Sequence, residues 1–170
     1  ERIMIVLDGS GSMWGQIEGV PKLTIARNVL NQVLPSVPDT TQLGLIAYGH
    51  NRKGDCSDIE MLIAPQTLNV DVFKQTVNAL NPRGKTPLTD AVVMAAEEMK
   101  YAEDKATVIL VTDGLETCER DPCEIGLLLE KRGIDFTTHI IGFDVADADA
   151  ASLSCLAENT GGLYLQADDL

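Results

Sequence analysis

Aromatic residues are scarce in this chain, at 4% of 170 positions, and there are only two histidines. A core built from it must therefore be aliphatic. Basic residues are few as well: 13 Lys and Arg stand against 26 Asp and Glu, a formal net charge of −13. A nucleic-acid binder needs a basic stripe to neutralise phosphates, so the charge argues against that class. It also argues against docking on anionic lipid. No apolar run approaches the roughly 18–20 residues of a membrane span, so no direct membrane insertion is expected. No C-x2-C pair exists either. Cys118 and Cys123 are separated by four residues and have no histidine near them in sequence, which makes a zinc site a poor reading.

What is present suits one globular domain. Apolar residues make up 45% of the chain, enough for a core and too many for an acidic disordered tail. The sequence opens at Glu1, inside an apparent strand and without an initiator Met, and reads as a single domain, 1–170, excised from a longer chain. The four cysteines, Cys56, Cys118, Cys123 and Cys155, are an even number. They read as two disulfides, which would make the domain extracytoplasmic: periplasmic, cell-surface or secreted. Four buried thiols are the alternative.

Apolar runs alternate with segments of helical period. Arg2 to Leu7, Gln42 to Tyr48, Asp58 to Ile63, Ala106 to Thr112, Asp135 to Gly142 and Leu163 to Gln166 read as six strands. Ala106 to Thr112 has the β-branched character of a strand buried on both faces. Helical stripes run through Leu23–Leu34, Val72–Leu80, Leu88–Met99 and Ile125–Leu129, with a further helix at Asp147 to Asn159. Asp168 to Leu170 reads as the start of another. Strand–helix alternation predicts an α/β fold with a mostly parallel sheet covered on both faces. The hop from the second strand to the third is too short for a helical crossover. That pair is expected as an antiparallel hairpin with the third strand at an edge.

In such sheets ligands collect at the carboxyl ends of the strands, where strand order reverses. Asp8-Gly9-Ser10-Gly11-Ser12 follows the first strand, and Asp113-Gly114 follows the fourth. Gly84-Lys85-Thr86-Pro87 precedes the helix at Leu88. Singly, each has a bland reading: Asp-Gly as a turn, Gly-Ser-Gly-Ser as a flexible loop, Thr86 as a helix N-cap before Pro87. Together they bring two carboxylates and three hydroxyls to one sheet edge. All are hard oxygen donors and suit Mg²⁺, which takes six oxygens at about 2.0–2.1 Å.

Asp8-x-Ser10-x-Ser12, Thr86 and Asp113, in that order, resemble the metal-ion-dependent adhesion site of the von Willebrand factor type A domain. The resemblance covers nearly the whole chain. It implies a Rossmann-like, doubly wound sheet of order 3-2-1-4-5-6, with the third strand antiparallel. It also implies that Ser10 and Ser12 bind a divalent ion directly, that Asp8, Thr86 and Asp113 complete the site, and that a carboxylate of a partner protein fills the open position. Mg²⁺ is expected, with Mn²⁺ or Ca²⁺ possible. Placed in that topology, the cysteines should pair as Cys56–Cys118 and Cys123–Cys155.

Other readings compete. Gly84-Lys85-Thr86 lacks the earlier glycine of a phosphate-binding loop, since that position is Ala79. Neither Ser10 nor Ser12 sits in a G-x-S-x-G elbow. A Mg²⁺-dependent hydrolase or phosphatase starting from Asp8 would want a second Asp where Ser10 stands. A scaffolding domain with a vestigial metal site is the remaining alternative. Met13, Trp14 and His50 are candidate ligand-contacting rim residues, against packing or loop hydrogen bonding. His139 reads as a packed sheet residue. Arg52 and Lys53 read as a solvated loop tip.

Overall fold

The computed structural model describes residues 1–114 and 116–167. The further helix expected at Asp168 to Leu170 lies outside the described residues. Six strands form one sheet: β1 (Arg2–Asp8), β2 (Gln42–Tyr48), β3 (Ile59–Thr67), β4 (Ala106–Thr112), β5 (Phe136–Gly142) and β6 (Tyr164–Gln166). Their order is β3-β2-β1-β4-β5-β6. All neighbours are parallel except β2 and β3, which are antiparallel. This is the α/β sheet expected from the alternation, in the Rossmann-like strand order that the resemblance implies.

Five α-helices cover it among the described residues: α1 (Lys22–Val33), α2 (Val70–Asn78), α3 (Leu88–Glu98), α4 (Pro122–Arg132) and α5 (Asp147–Asn159). Successive strand residues point to opposite faces, so β1 feeds two cores at once. Met4 and Val6 pack with Leu88, Val92, Leu129 and Leu156 beneath α3, α4 and α5. Ile5 and Leu7 pack with Leu23, Leu30, Phe73 and Val77 beneath α1 and α2. Each such fully buried aliphatic side chain contributes roughly 1.5–3 kcal/mol of burial. Ala91, Ala95 and Ala96 are fully buried on α3 and let it lie close to the strands.

Some helix ends follow local rules. Asn69 caps α2 by accepting from the Val72 N–H, and Asp121 caps α4 by accepting from the Cys123 N–H. Pro122 opens α4, and Lys131 and Arg132 close it, as the helix dipole favours.

The structure differs from expectation in three places. β3 runs on to Thr67, beyond Ile63, and contains Pro65. An edge strand tolerates a residue that cannot donate to the ladder. Thr86 is not the cap of α3: Pro87 holds that position, with no side-chain cap bond. A two-residue hairpin, Gln16–Ile17 against Val20–Pro21, precedes α1. Its turn residues Glu18 and Gly19 both have positive φ, and the sequence lacked the Asn-Gly or Asp-Gly signal for such a turn.

Two disulfides join Cys56 to Cys118 and Cys123 to Cys155. The first ties the β2–β3 hairpin loop to the loop after β4. The second ties α4 to α5.

Candidate metal centre

β1 lies between β2 and β4, so the chain departs from neighbouring strand ends in different directions and leaves a crevice at their carboxyl edge. Asp8, the last residue of β1, forms its floor and is fully buried. One carboxylate oxygen accepts from the Ser10 N–H at 2.8 Å and from the Ser10 hydroxyl. The other accepts from the Thr112 hydroxyl at 2.7 Å and the Asp113 N–H at 3.4 Å. Burial first, and then the charge of Asp113, raise the Asp8 pKa to about 7 despite these bonds. Thr112 Oγ1 in turn accepts from the Tyr48 hydroxyl at 3.1 Å and the Gly114 N–H at 3.0 Å. Burial, with the nearby carboxylates, holds the Tyr48 hydroxyl well above its ordinary pKa.

Above this floor, Ser10 Oγ and Ser12 Oγ stand 3.0 Å apart. Ser10, Ser12, Gly84, Lys85, Thr86, Asp113 and Thr117 line one cleft of about 330 Å³. Four of the five expected ligands thus share a cavity, and the fifth, Asp8, lies beneath it bonded to Ser10. Ser10 and Thr86 are buried, while Ser12 is exposed at the mouth. Asp113 is half-buried, and its Oδ2 lies 3.3 Å from Lys22 Nζ. A second groove, between β3 and α2, is lined mainly by apolar side chains and brings together no titratable group.

The loops around the cleft are laced together by backbone bonds. Gly9 N–H donates to Tyr48 O, Gly11 N–H to Gly84 O, and Gly84 N–H to Gly49 O, at 2.7–3.0 Å. These approaches need glycine. A Cβ on Gly9 would lie 2.7 Å from Tyr48 O, and one on Gly84 would fall onto the Arg52 carbonyl. On the far side, the Thr86 N–H donates to Thr117 Oγ1 at 2.8 Å, and the Thr117 N–H donates back to Thr86 O at 3.3 Å. Glu116 accepts from the Thr89 N–H at 3.0 Å, in the first turn of α3, and from the Cys118 N–H at 2.8 Å. It does for α3 what the alternative reading of Thr86, as a helix N-cap, assigned to Thr86.

The rim expectations need correction. Met13 is fully buried in the α1–α2 core. The 3-10 turn Gly11–Trp14 directs Ser12 and Trp14 outward and Met13 inward. His50 is buried behind the loop that follows Asp8, with its Cβ beside Gly9. Its Nε2 lies 2.8 Å from Glu60 Oε1, and that hydrogen bond is the main cause holding the Glu60 pKa down. Trp14 is about half exposed, at 53%, and its indole N–H donates to Pro82 O at 2.8 Å. It therefore packs against the neighbouring loop and still offers a face to solvent. Arg52 pairs with Asp55 at 2.7 Å. His139 is half-buried in β5 and accepts from the Leu163 N–H at 3.1 Å.

Tyr48, Thr112, Lys22, Glu116 and Thr117 went unnoticed in the sequence. Tyr48 and Thr112 could have been found, because each ends a strand flanking Asp8.

The donor set passes a chemical test for a hard divalent ion. It offers two carboxylates and three hydroxyls and no sulfur or imidazole. Among the described residues no group of three or more His, Cys, Asp or Glu side chains could hold a metal, so any ion here depends on the hydroxyls.

A family model described as the von Willebrand factor type A domain matches residues 3–116. Uncharacterized protein YwmC of Bacillus subtilis (strain 168) is 31% identical over 174 residues, covering 97% of this chain and 76% of that protein. Proximal thread matrix protein 1 from the mussel byssus, with a zinc-occupied MIDAS motif, is 20% identical with a TM-score of 0.70, covering 99% of this chain and 42% of that one. The pilus adhesin SpaC of Lactobacillus rhamnosus GG is 16% identical with a TM-score of 0.77, covering 98% of this chain and 29% of that one. The chain thus spans less than half the length of those two solved structures, and at such identities the likeness is one of fold.

Proposed function

The chain belongs to the von Willebrand factor type A domain family, and from that premise we propose that it is a metal-dependent protein-binding module. In this reading Asp8, Ser10, Ser12, Thr86 and Asp113 hold a divalent cation, Mg²⁺ or else Mn²⁺ or Ca²⁺. The bound ion supplies an electrophilic point to which a partner's Asp or Glu carboxylate can coordinate.

One observation carries the reading. Hydroxyls from two loops and a carboxylate from a third line one cleft, directly above a buried carboxylate. Buried Asp8 has no cationic partner among the described residues' ion pairs. Hydrogen bonds fix its carboxylate, yet its charge is disfavoured there. A divalent ion would supply the missing opposite charge. The zinc named for the mussel protein's motif supports a divalent ion as a guest of this fold. The net charge of −13 gives the ion a second role. The bare surface repels acidic partners, and a bound cation reverses the local field at one spot.

We read the site as non-catalytic. The Ser10 hydroxyl is bonded to Asp8 rather than to a histidine base, and His50 is engaged with Glu60. Turnover in a phosphatase and esterase screen with Mg²⁺, lost in Asp8→Asn, would replace this reading with a hydrolase. We place the domain outside the cytoplasm, supported by its two disulfides and by its likeness in fold to a pilus adhesin.

The test is calorimetric titration with MgCl₂, followed by retention on immobilised Asp- and Glu-containing peptides. The expected result is Mg²⁺ binding that Asp113→Ala abolishes, and peptide retention that EDTA reverses. Indifference to both EDTA and Asp113→Ala would refute the proposal.

A further inference from the structure

Lys22 is not needed where it stands by anything local to its helix. It is the first residue of α1, where the positive end of the helix dipole opposes a cation. That helix has no acidic residue in its first turn and no side-chain cap to offset the lysine. The side chain instead crosses to the loop after β4, where its ammonium lies 3.3 Å from Asp113 Oδ2. Both side chains are largely shielded, at 13% and 5% exposure. The main chain fixes this placement, since the Lys22 N–H donates to Gly15 O at 2.8 Å. A Cβ on Gly15 would lie 3.5 Å from Lys22 Cε and 3.6 Å from Nζ, so the lysine runs close over the end of the metal loop. Among the described residues it is the one cation ion-paired with either site carboxylate.

We propose that Lys22 is the resident counter-cation of the metal-free site and lowers its affinity for the divalent ion. This deepens, and rests on, the metal-binding reading given above. Two carboxylates facing one cleft repel each other when no ion is present, and the ammonium neutralises the outer one. Asp113 would hold a divalent ion with the same carboxylate that already pairs with the ammonium. Asp113 then has to divide its charge between two cations that repel each other, in a place where solvent screens them poorly. The same lysine therefore stabilises the metal-free protein and opposes loading. Lys85 also lines the cleft but is solvent-exposed and forms no ion pair with Asp113, so its effect on the ion is screened.

The experiment is calorimetric titration of MgCl₂, and separately MnCl₂, into the chelator-stripped chain. It compares wild type with Lys22→Gln, Lys22→Met and Lys22→Arg. The two neutral variants should bind each ion at least tenfold more tightly than wild type, and Lys22→Arg should stay within about threefold of it. Thermal melts supply a second readout. In EDTA, Lys22→Gln should unfold at a lower temperature than wild type, and saturating Mg²⁺ should abolish the difference. Wild-type or weaker affinity in both neutral variants would overturn the role of Lys22 while leaving the metal site standing. Absence of binding in every protein, wild type included, would overturn the metal reading itself and this one with it. If Met at this position does not fold, Gln, which keeps the polar contact without the charge, still decides the matter.

Discussion

Without metal, Asp8 should cost the folded protein stability in a pH-dependent way. Its pKa rises from 3.8 to about 7 on folding, through burial first and the Asp113 charge second. Between those values the folded form keeps a proton that the unfolded chain has lost. The stability linked to that proton is full below about pH 3.8 and is exhausted as the pH passes about 7. The difference between those two values is worth several kcal/mol of pH-dependent stability. Asp8→Asn removes the charge and with it this dependence. It also replaces one acceptor oxygen by a donor, and Asp8 accepts from Ser10, Thr112 and Asp113. The variant therefore carries a constant penalty of roughly 1–3 kcal/mol for disturbed bonds. The informative quantity is the slope, not the offset.

The assay is urea unfolding by circular dichroism in EDTA at pH values from 5 to 8, for both proteins. Carboxylates common to the two cancel in the difference, apart from Asp113, whose charge couples to that of Asp8. Wild-type stability minus that of Asp8→Asn should fall by about 1.4 kcal/mol per pH unit below neutrality and level off above it. Saturating Mg²⁺ should offset much of that fall in wild type alone, adding about 2.7 kcal/mol at one hundred times the dissociation constant. A pH-independent difference in EDTA would refute the assignment of Asp8 as a buried, charge-starved carboxylate.

Three further outcomes are expected. Replacing Cys56 and Cys118 together by Ala opens a link across 62 residues; the chain-entropy model predicts a loss of about 4 kcal/mol, read as a lower urea midpoint. Gly84→Ala drives a methyl group onto the Arg52 carbonyl; it should cost about 1–3 kcal/mol in thermal unfolding, with weakened Mg²⁺ binding because Gly84 lines the cleft. Glu116→Ala uncaps α3 and frees the Cys118 N–H, a loss of about 1–2 kcal/mol that Glu116→Gln should partly restore.

The strands, and the places of Asp8, Ser10, Ser12 and Asp113 at the sheet edge, were legible because their signals are local. Asp8, Ser10 and Ser12 alternate within one short segment, and Asp113 directly follows a β-branched run, so strand ends alone place them on one edge. The misreadings arose where a local rule met a tertiary competitor. Thr86 followed by Pro87 satisfies the rule for a helix start, yet Pro87 holds the cap position and no side chain of that segment caps the helix. The α3 terminus is served by Glu116, 27 residues beyond Thr89. Met13 follows a serine at the cleft mouth, but in a 3-10 turn successive side chains diverge, and an aliphatic core with few aromatics takes up the thioether. Lys22 was hidden for the same reason: its partner Asp113 is 91 residues away.

These long-range bonds bear on how the site would load. Backbone bonds join the loop after Asp8 to the end of β2 and to the Gly84 segment, which bonds in turn to Gly49 of the β2–β3 loop. The Thr86–Thr117 pair and the Cys56–Cys118 bridge hold the opposite wall. A cleft held on both sides has little conformational entropy left to lose on binding. On the proposed reading, its affinity for an ion would be set mainly by charge: the uncompensated Asp8 would favour loading, and the Lys22 ammonium would oppose it. On a chain with net charge −13, the general field favours cations of every kind. Discrimination must therefore come from the local pair of opposed effects. For that reason the Asp8 pH profile and the Lys22 titrations probe one quantity from opposite sides: Asp8→Asn should remove the attraction, and Lys22→Gln the brake.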